Sequence, residues 1–175
     1  MRAVVLSLVL AFCCSPRPPP ADLVFVGGPV YTQDKSLPWA EAVAVRGETI
    51  VFVGARADVE VLIGESTRIV DLDGRLLLPS LDDDALVAIH EAVTGRTLRG
   101  NTIAGNSENI ADAIVERVSS SLVVGSPADL TVLQENILKI PAERIAEAKV
   151  EMSVVGGEVV YVATTFDQHF STTLK

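Results

Sequence analysis

Residues 67–87 read Thr67-Arg68-Ile69-Val70-Asp71-Leu72-Asp73-Gly74-Arg75-Leu76-Leu77-Leu78-Pro79-Ser80-Leu81-Asp82-Asp83-Asp84-Ala85-Leu86-Val87. The first six alternate polar and apolar, as a half-buried strand does. Asp73-Gly74 is a tight-turn dipeptide. Leu76 to Leu78 form a short apolar run closed by Pro79, the pattern of a buried strand. Beyond Ser80 the texture changes. Three carboxylates precede Leu86, Ile89, His90 and Val93, and acidic residues favour the first turn of a helix. The chain thus reads as β up to Pro79 and helical beyond it.

Upstream, the β reading continues. Leu23-Val24-Phe25-Val26 is an apolar strand stopped by Gly27-Gly28-Pro29, and Val30-Tyr31-Thr32 begins another. Ala42 to Val45 and Thr49 to Val53 flank Arg46-Gly47-Glu48, a hairpin signal. Residues 55–63 carry Val59, Leu62 and Ile63 at helical spacing, and Gly64 stops them. Downstream, 81–120 reads as two short amphipathic helices. Gly95 to Gly105 is the loop between them, and Ile110, Ile114, Val115 and Val118 lie on one face of the second. Asp129 to Leu133 is again a strand. Residues 141–148 open with proline and carry Glu143 early, as helix starts prefer. Met152 to Val155 and Val159 to Val162 flank Gly156-Gly157 as a second hairpin. Residues 164–175 show no pattern and read as a loose tail.

The chain has 175 residues and a net charge of -9, which allows one domain and is too short for a (β/α)₈ barrel of about 250 residues. Hydrophobic residues are 49% and charged residues 21%, a globular composition. The acidic balance offers nothing to phosphate backbones, and 5% aromatics give no base-stacking platform, so nucleic acid is not an expected partner. With 2 Cys and 2 His, a four-ligand structural zinc site is not expected.

Met1 to Phe12 place one cation, Arg2, before an apolar run. The run is too short to span a bilayer, which takes about 20 apolar residues, and suits a secretory signal. Cys13 and Cys14 follow, then Ser15-Pro16-Arg17-Pro18-Pro19-Pro20. A cysteine directly after such a run resembles a bacterial lipoprotein signal, which implies acylation of Cys13 or Cys14 ahead of a Pro-rich tether. Leu10 and Ala11 suit Cys13, although Phe12 is bulky; Ala11 suits Cys14. An ordinary cleaved signal and a hydrophobic start of no consequence are the other readings. The expected location is the periplasm or envelope of a bacterium, with membrane anchoring through the lipidated cysteine. Adjacent cysteines are poorly placed to bond each other.

A family resemblance rests on phrases in order. They are Ala21-Asp22-Leu23, Gly27-Gly28-x-Val30-Tyr31-Thr32, Pro38-Trp39-Ala40-Glu41-Ala42-Val43-Ala44-Val45, Gly47-x-x-Ile50-x-x-Val53-Gly54, Asp71-Leu72-x-Gly74-Arg75 and Leu76-Leu77-Leu78-Pro79. The sequence resembles the start of a metal-dependent amidohydrolase, closest to the branch of the N-substituted formamide deformylases. Ser121-Leu122-x-x-Gly125-x-Pro127-Ala128-Asp129-Leu130-Thr131-Val132-Leu133, Ile140-Pro141-Ala142-Glu143-Arg144-Ile145 and Val154-Val155-Gly156-Gly157-Glu158-Val159-Val160-Tyr161 are similar to the family's phrases after its barrel. The resemblance implies a mainly β fold with some α. Its composite β-sandwich is built from 21–79 and 122–163, with a short helical insert, 80–121, in place of the TIM barrel. Residues 1–20 are the leader and tether, and 164–175 the tail. Within the insert, Glu91-Ala92 reads as a remnant of the family's last barrel helix.

Family members continue past the proline with Gly-x-x-Asp-x-His-x-His, whose histidines bind the catalytic metal, zinc or a similar divalent ion. Here Asp83 matches the aspartate, while Ala85 and Val87 stand at the histidine positions. Neither side chain donates to a metal. The remaining family ligands have no segment to occupy, so the barrel is lost, by gene deletion or by a misassembled reading frame. No metal, cofactor or catalytic residue is therefore expected in this chain.

Each other candidate has a plainer rival. Asp82, Asp83 and Asp84 suit a hard cation, but consecutive positions diverge around a helix and read as an N-terminal charge cluster. His90 reads as an ordinary helix histidine and His169 as a solvated one. Ser119-Ser120-Ser121 lack a Gly-x-Ser-x-Gly elbow. Gly27-Gly28 and Gly156-Gly157 lack the helix that a phosphate cradle needs and read as turn glycines. The resemblance implies a truncated or degenerate amidohydrolase-family protein. The family hydrolyses amide-like C–N bonds, and this chain is expected to be inactive. The alternative is a non-catalytic sandwich lipoprotein or interaction module of the envelope. A sandwich stripped of its barrel exposes apolar surface, which favours a homo-oligomer.

Overall fold

A computed structural model describes residues 17–80, 120–140, 148–166 and 170–171. In chain order the described strands are β1 (Leu23–Val26), β2 (Val30–Tyr31), β3 (Trp39–Ala40), β4 (Ala42–Arg46), β5 (Thr49–Gly54), β6 (Arg68–Asp71), β7 (Leu76–Pro79), β8 (Leu130–Leu133), β9 (Val150–Val155), β10 (Glu158–Val162) and β11 (Phe170–Ser171). One helical turn, α1 (Arg56–Val59), runs into a 3₁₀ turn, η1 (Glu60–Leu62).

The strands form two mixed sheets. The first has the order β11-β6-β1-β4-β5 and the second β10-β9-β8-β7-β2-β3. In the second, β7 pairs antiparallel with β8, Leu77 opposite Val132 and Pro79 opposite Leu130. Strands from the two halves of the chain thus share one sheet, as the resemblance implies.

Leu23, Phe25, Val43, Val45 and Val70 of the first sheet meet Leu77, Leu130, Val132, Met152 and Val154 of the second in one buried core. On the outer face of the first sheet, Val24, Val26, Ala42, Ala44 and Ile69 lie with Val59 and Leu62. β1 is therefore apolar at every position, as a strand covered on both faces must be. β6 differs from its sequence reading for the same reason. Ile69 and Val70 are both buried, one under the helical turns and one in the core, so the strand has no wet face.

Two strand pairs change sheets side by side. β1 passes to β2 through Gly27-Gly28-Pro29, and β6 passes to β7 through Asp73-Gly74. The Leu72 N–H donates to Val26 O at 2.7 Å and the Gly74 N–H to Gly27 O at 2.8 Å. Asp73 and Gly74 form a tight turn, with the Arg75 N–H donating to Leu72 O at 2.9 Å. That turn is a corner between layers rather than the tip of a hairpin. The β4–β5 and β9–β10 hairpins lie where the sequence puts them.

The described parts of the segments read as tether and tail, residues 17–20, 164–166 and 170–171, are built into the fold. The Arg17 guanidinium donates from Nε to Val61 O at 3.2 Å and from Nη2 to Ile63 O at 3.0 Å. Arg46 donates from Nε to Pro20 O at 2.9 Å and from Nη2 to Pro19 O. At the other end Phe166 is fully buried, and β11 pairs antiparallel with β6, Phe170 opposite Val70 and Ser171 opposite Ile69. The helices expected within 81–119 and over 141–147 lie outside the described residues.

Candidate functional site

The two hairpins meet tip to tip at one end of the sandwich, and each is held by an aspartate from the start of a strand. Asp22, just before β1, accepts the Gly47 N–H at 2.7 Å on Oδ2. Asp129, just before β8, accepts the Gly156 N–H at 2.7 Å on Oδ1. Both aspartates stand in the same word, Ala21-Asp22-Leu23 and Ala128-Asp129-Leu130. Both hairpins continue alike, Gly47-Glu48-Thr49-Ile50-Val51-Phe52-Val53 beside Gly157-Glu158-Val159-Val160-Tyr161-Val162. A one-residue gap at Thr49 brings Val51 against Val160, the residues at which both ladders shift register. The meanders β1-β4-β5 and β8-β9-β10 are therefore one unit used twice. The sequence carries this signal as self-similarity, which reading by elements passed over.

Between the tips lies an open depression of about 590 Å³, lined by Asp22, Gly47, Glu48, Val155, Gly156, Gly157 and Glu158. Its walls carry carboxylates, which suit a hard cation by charge. The arrangement does not supply one. Asp22 is engaged by Gly47, and among the described residues no group of three His, Cys, Asp or Glu is arranged to hold a metal ion. The Asp22 and Asp129 carboxylates serve turn geometry. Asp129→Ala is expected to cost about 1.5–3 kcal/mol, the range for a hydrogen bond to a charged group. Asp22→Ala should cost less because Asp22 is exposed. Urea midpoints of the two variants check the order.

At the opposite end, Glu151 is buried at the register shift between β8 and β9. Its carboxylate accepts the Thr165 hydroxyl at 3.0 Å, and its carbonyl accepts the Ala163 N–H at 2.7 Å. Arg75 lies over the Phe166 ring at 5.0 Å and pairs with Asp73 at 3.4 Å. A third cluster joins Tyr31 and Trp39 edge to face at 5.1 Å, with the Lys139 ammonium 5.9 Å from the Trp39 ring. On the loop between β2 and β3, the Asp34 carboxyl is held below its usual range by the backbone N–H of Ser36 and then by its hydroxyl. The hydroxyls of Thr165 and Ser36 each donate to a carboxylate, and both pairs are accounted for as local hydrogen bonds of the strand edge and the β2–β3 loop.

Cys13, Cys14, Asp82, Asp83, Asp84, Ala85, Val87, His90, Ser119 and His169 lie outside the described residues. Ser120 and Ser121 lead without secondary structure into Leu122, whose N–H donates to Thr32 O at 2.8 Å. Gly27, Gly156 and Gly157 have positive φ in turns, as turn glycines should. Among the described residues no helix is long and apolar enough to cross a membrane.

The sequence model of the Amidohydrolase family matches residues 81–161. The match begins at Leu81, so it takes in the insert, where the resemblance rested on Asp83 and Glu91-Ala92. Protein LONG AFTER FAR-RED 3 of Arabidopsis thaliana is 40% identical over 63 residues, which are 36% of this chain and 11% of that protein. Among solved structures, a structural-genomics target from Bacillus thuringiensis is similar over 47% of this chain and 97% of its own, with 24% identity and a TM-score of 0.34. An uncharacterized metal-dependent hydrolase from Pyrococcus furiosus is similar over 56% of this chain and 21% of its own, with 16% identity and a TM-score of 0.30. This chain resembles the amidohydrolases over part of its length, and it spans 11% of the Arabidopsis protein.

Proposed function

We propose that this chain is an amidohydrolase-type composite sandwich without a hydrolytic centre of its own, displayed as an envelope lipoprotein. The direct pairing of β7 with β8 carries the reading. Pro79 and Leu130 are neighbours in one sheet, and the chain between the described residues Ser80 and Ser120 is about 40 residues long. A barrel at that place takes about 250. Family chemistry uses a metal that lowers the pKa of bound water to about 7 and polarises a carbonyl. Such a metal needs about three converging donors and an open position. The donor set does not fit, because Ala85 and Val87 replace the histidines and Asp83 alone remains.

The expected result is that purified protein, incubated with zinc, retains less than a tenth of an equivalent after desalting. It should hydrolyse amides, formamides and cyclic imides at the background rate. About one tightly held zinc per chain, with turnover abolished by a chelator, would overturn the reading. Val87→His and Ala85→His together should not restore activity, because two donors do not make a centre.

A second reading, an interaction module that self-associates, is favoured by one asymmetry between the repeated units. Val51 and Phe52 of the first pack beside the helical turns. Their counterparts Val160 and Tyr161, on the edge strand β10 of the second sheet, are 60% and 50% exposed, and Val155 at the end of β9 is exposed too. Open apolar edges pair with other chains. Size-exclusion chromatography of a chain beginning at Arg17 should show a concentration-dependent dimer, and Tyr161→Lys should return it to monomer. A monomer at all concentrations would remove the oligomer reading.

A further inference from the structure

Only Ser15 and Pro16 separate Cys14 from Arg17, the first described residue. Arg17 bridges the Val61 and Ile63 carbonyls of the η1 turn, and Arg46 takes the carbonyls of Pro19 and Pro20. Pro20 packs so closely on Gly64 that a Cβ there would lie 2.7 Å from the proline ring. The Ala21 N–H donates to Leu62 O at 2.8 Å, and Ala21 O accepts the buried Thr67 hydroxyl at 2.6 Å. The Pro-rich stretch is therefore a strap bound to the helical face of the first sheet. Proline suits this use, because its φ is fixed and its missing N–H leaves the carbonyls as the groups to be held.

We infer that the partner of this helical face is the lipid surface itself. The inference rests on the lipoprotein reading of Cys13 or Cys14. An extended chain spans about 3.3–3.6 Å per residue, so an acylated Cys14 lies within about 11 Å of the Arg17 Cα and Cys13 within about 14 Å. The headgroup region of one leaflet is about 5–8 Å deep. No free spacer remains to lift the domain away, so η1 rests on the headgroups. Val61 of η1 is 52% exposed beside the strap, an apolar side chain at the point where the lipid would meet the protein. The face of the second sheet, with Val160 and Tyr161, then points away from the membrane, about 20 Å further out by the spacing of packed layers. The acyl chains supply the binding energy, and the strap supplies the orientation.

The test uses the full-length acylated protein in phosphatidylcholine vesicles carrying brominated acyl chains. Two Trp39→Phe variants are compared, one with Val61→Trp and one with Val160→Trp, after mass spectrometry has established acylation and circular dichroism the fold. Fluorescence at position 61 should be quenched at least threefold more than at position 160. As a check on the unsubstituted protein, hydrogen exchange with vesicles present should slow at 59–64 and stay unchanged at 158–162. Acylated protein with equal quenching at both sites, or with exchange slowed only at 158–162, overturns the orientation. Protein without acyl chains overturns the lipoprotein reading instead, so the two failures are distinct.

Discussion

Gly157→Ala is expected to destabilise the fold by about 3–5 kcal/mol, a large share of the 5–15 kcal/mol that holds an ordinary domain. Gly157 has φ +76°, a region that costs an L-residue about 1–2 kcal/mol. The larger cost is the contact across the hairpin tips. A Cβ at Gly157 would lie 1.9 Å from Gly47 O and 3.3 Å from the Glu48 Cα, both backbone atoms. Neither side can retreat. The Gly47 N–H is tied to Asp22, Glu48 O accepts the Ala128 N–H at 2.8 Å, and the Gly157 N–H donates to Ala128 O at 3.0 Å. Gly156→Ala is the matched control. Its φ is +55°, but no heavy atom lies within 4 Å of the added carbon, so about 1 kcal/mol is expected. Urea denaturation with unchanged slopes checks the pair. If both variants fall by the same amount, the tips do not hold the two halves of the chain together.

The sequence announces its hairpins for a local reason. Runs such as Thr49 to Val53 and Val159 to Val162 are β-branched and aromatic, and the glycines between paired runs mark where the ladder turns. Which sheet each strand joins is not a local property. Asp73-Gly74 looks the same as a hairpin tip or as a corner between layers, and the difference lies in what accepts Gly74's N–H. β6 misled because its polar residues, Arg68 and Asp71, sit at its two ends while the middle is covered on both faces. The strap escaped notice because prolines followed by a hydrophobic body read as a spacer. Only the carbonyl partners of Arg17 and Arg46 show otherwise. That strands from both halves would share a sheet came from family resemblance, and periodicity alone would not have supplied it. Of the candidate site, the legible part was a lack. The resemblance puts Ala85 and Val87 where the family has donors, and both lie outside the described residues.

Phe166→Ala is expected to cost about 3–5 kcal/mol, the range for emptying a buried phenylalanine site. A lone aromatic has no period, and a two-residue strand has no pattern, so 164–175 reads as a loose end. In the fold Phe166 is fully buried in the core shared by Phe25, Leu72 and Met152. Arg75 covers its ring, and its N–H donates to Ala163 O at 2.8 Å. Thr165 beside it satisfies the buried Glu151 carboxylate. Emptying the site therefore loses more than the ring. Water reaches Glu151, Arg75 loses its aromatic partner, and β11 is no longer delivered to β6. Phe166→Leu keeps most of the volume and should cost about 1.5 kcal/mol or less. Native-state hydrogen exchange separates anchoring from simple destabilisation. In Phe166→Ala the amide of Ile69, which lies on the β11 side of β6 because those of Arg68 and Leu72 donate toward β1, should lose protection beyond the global change, while those of Val43 and Val45 should track it. If removing 164–175 altogether leaves the urea midpoint unchanged, the segment is the loose tail its sequence suggests.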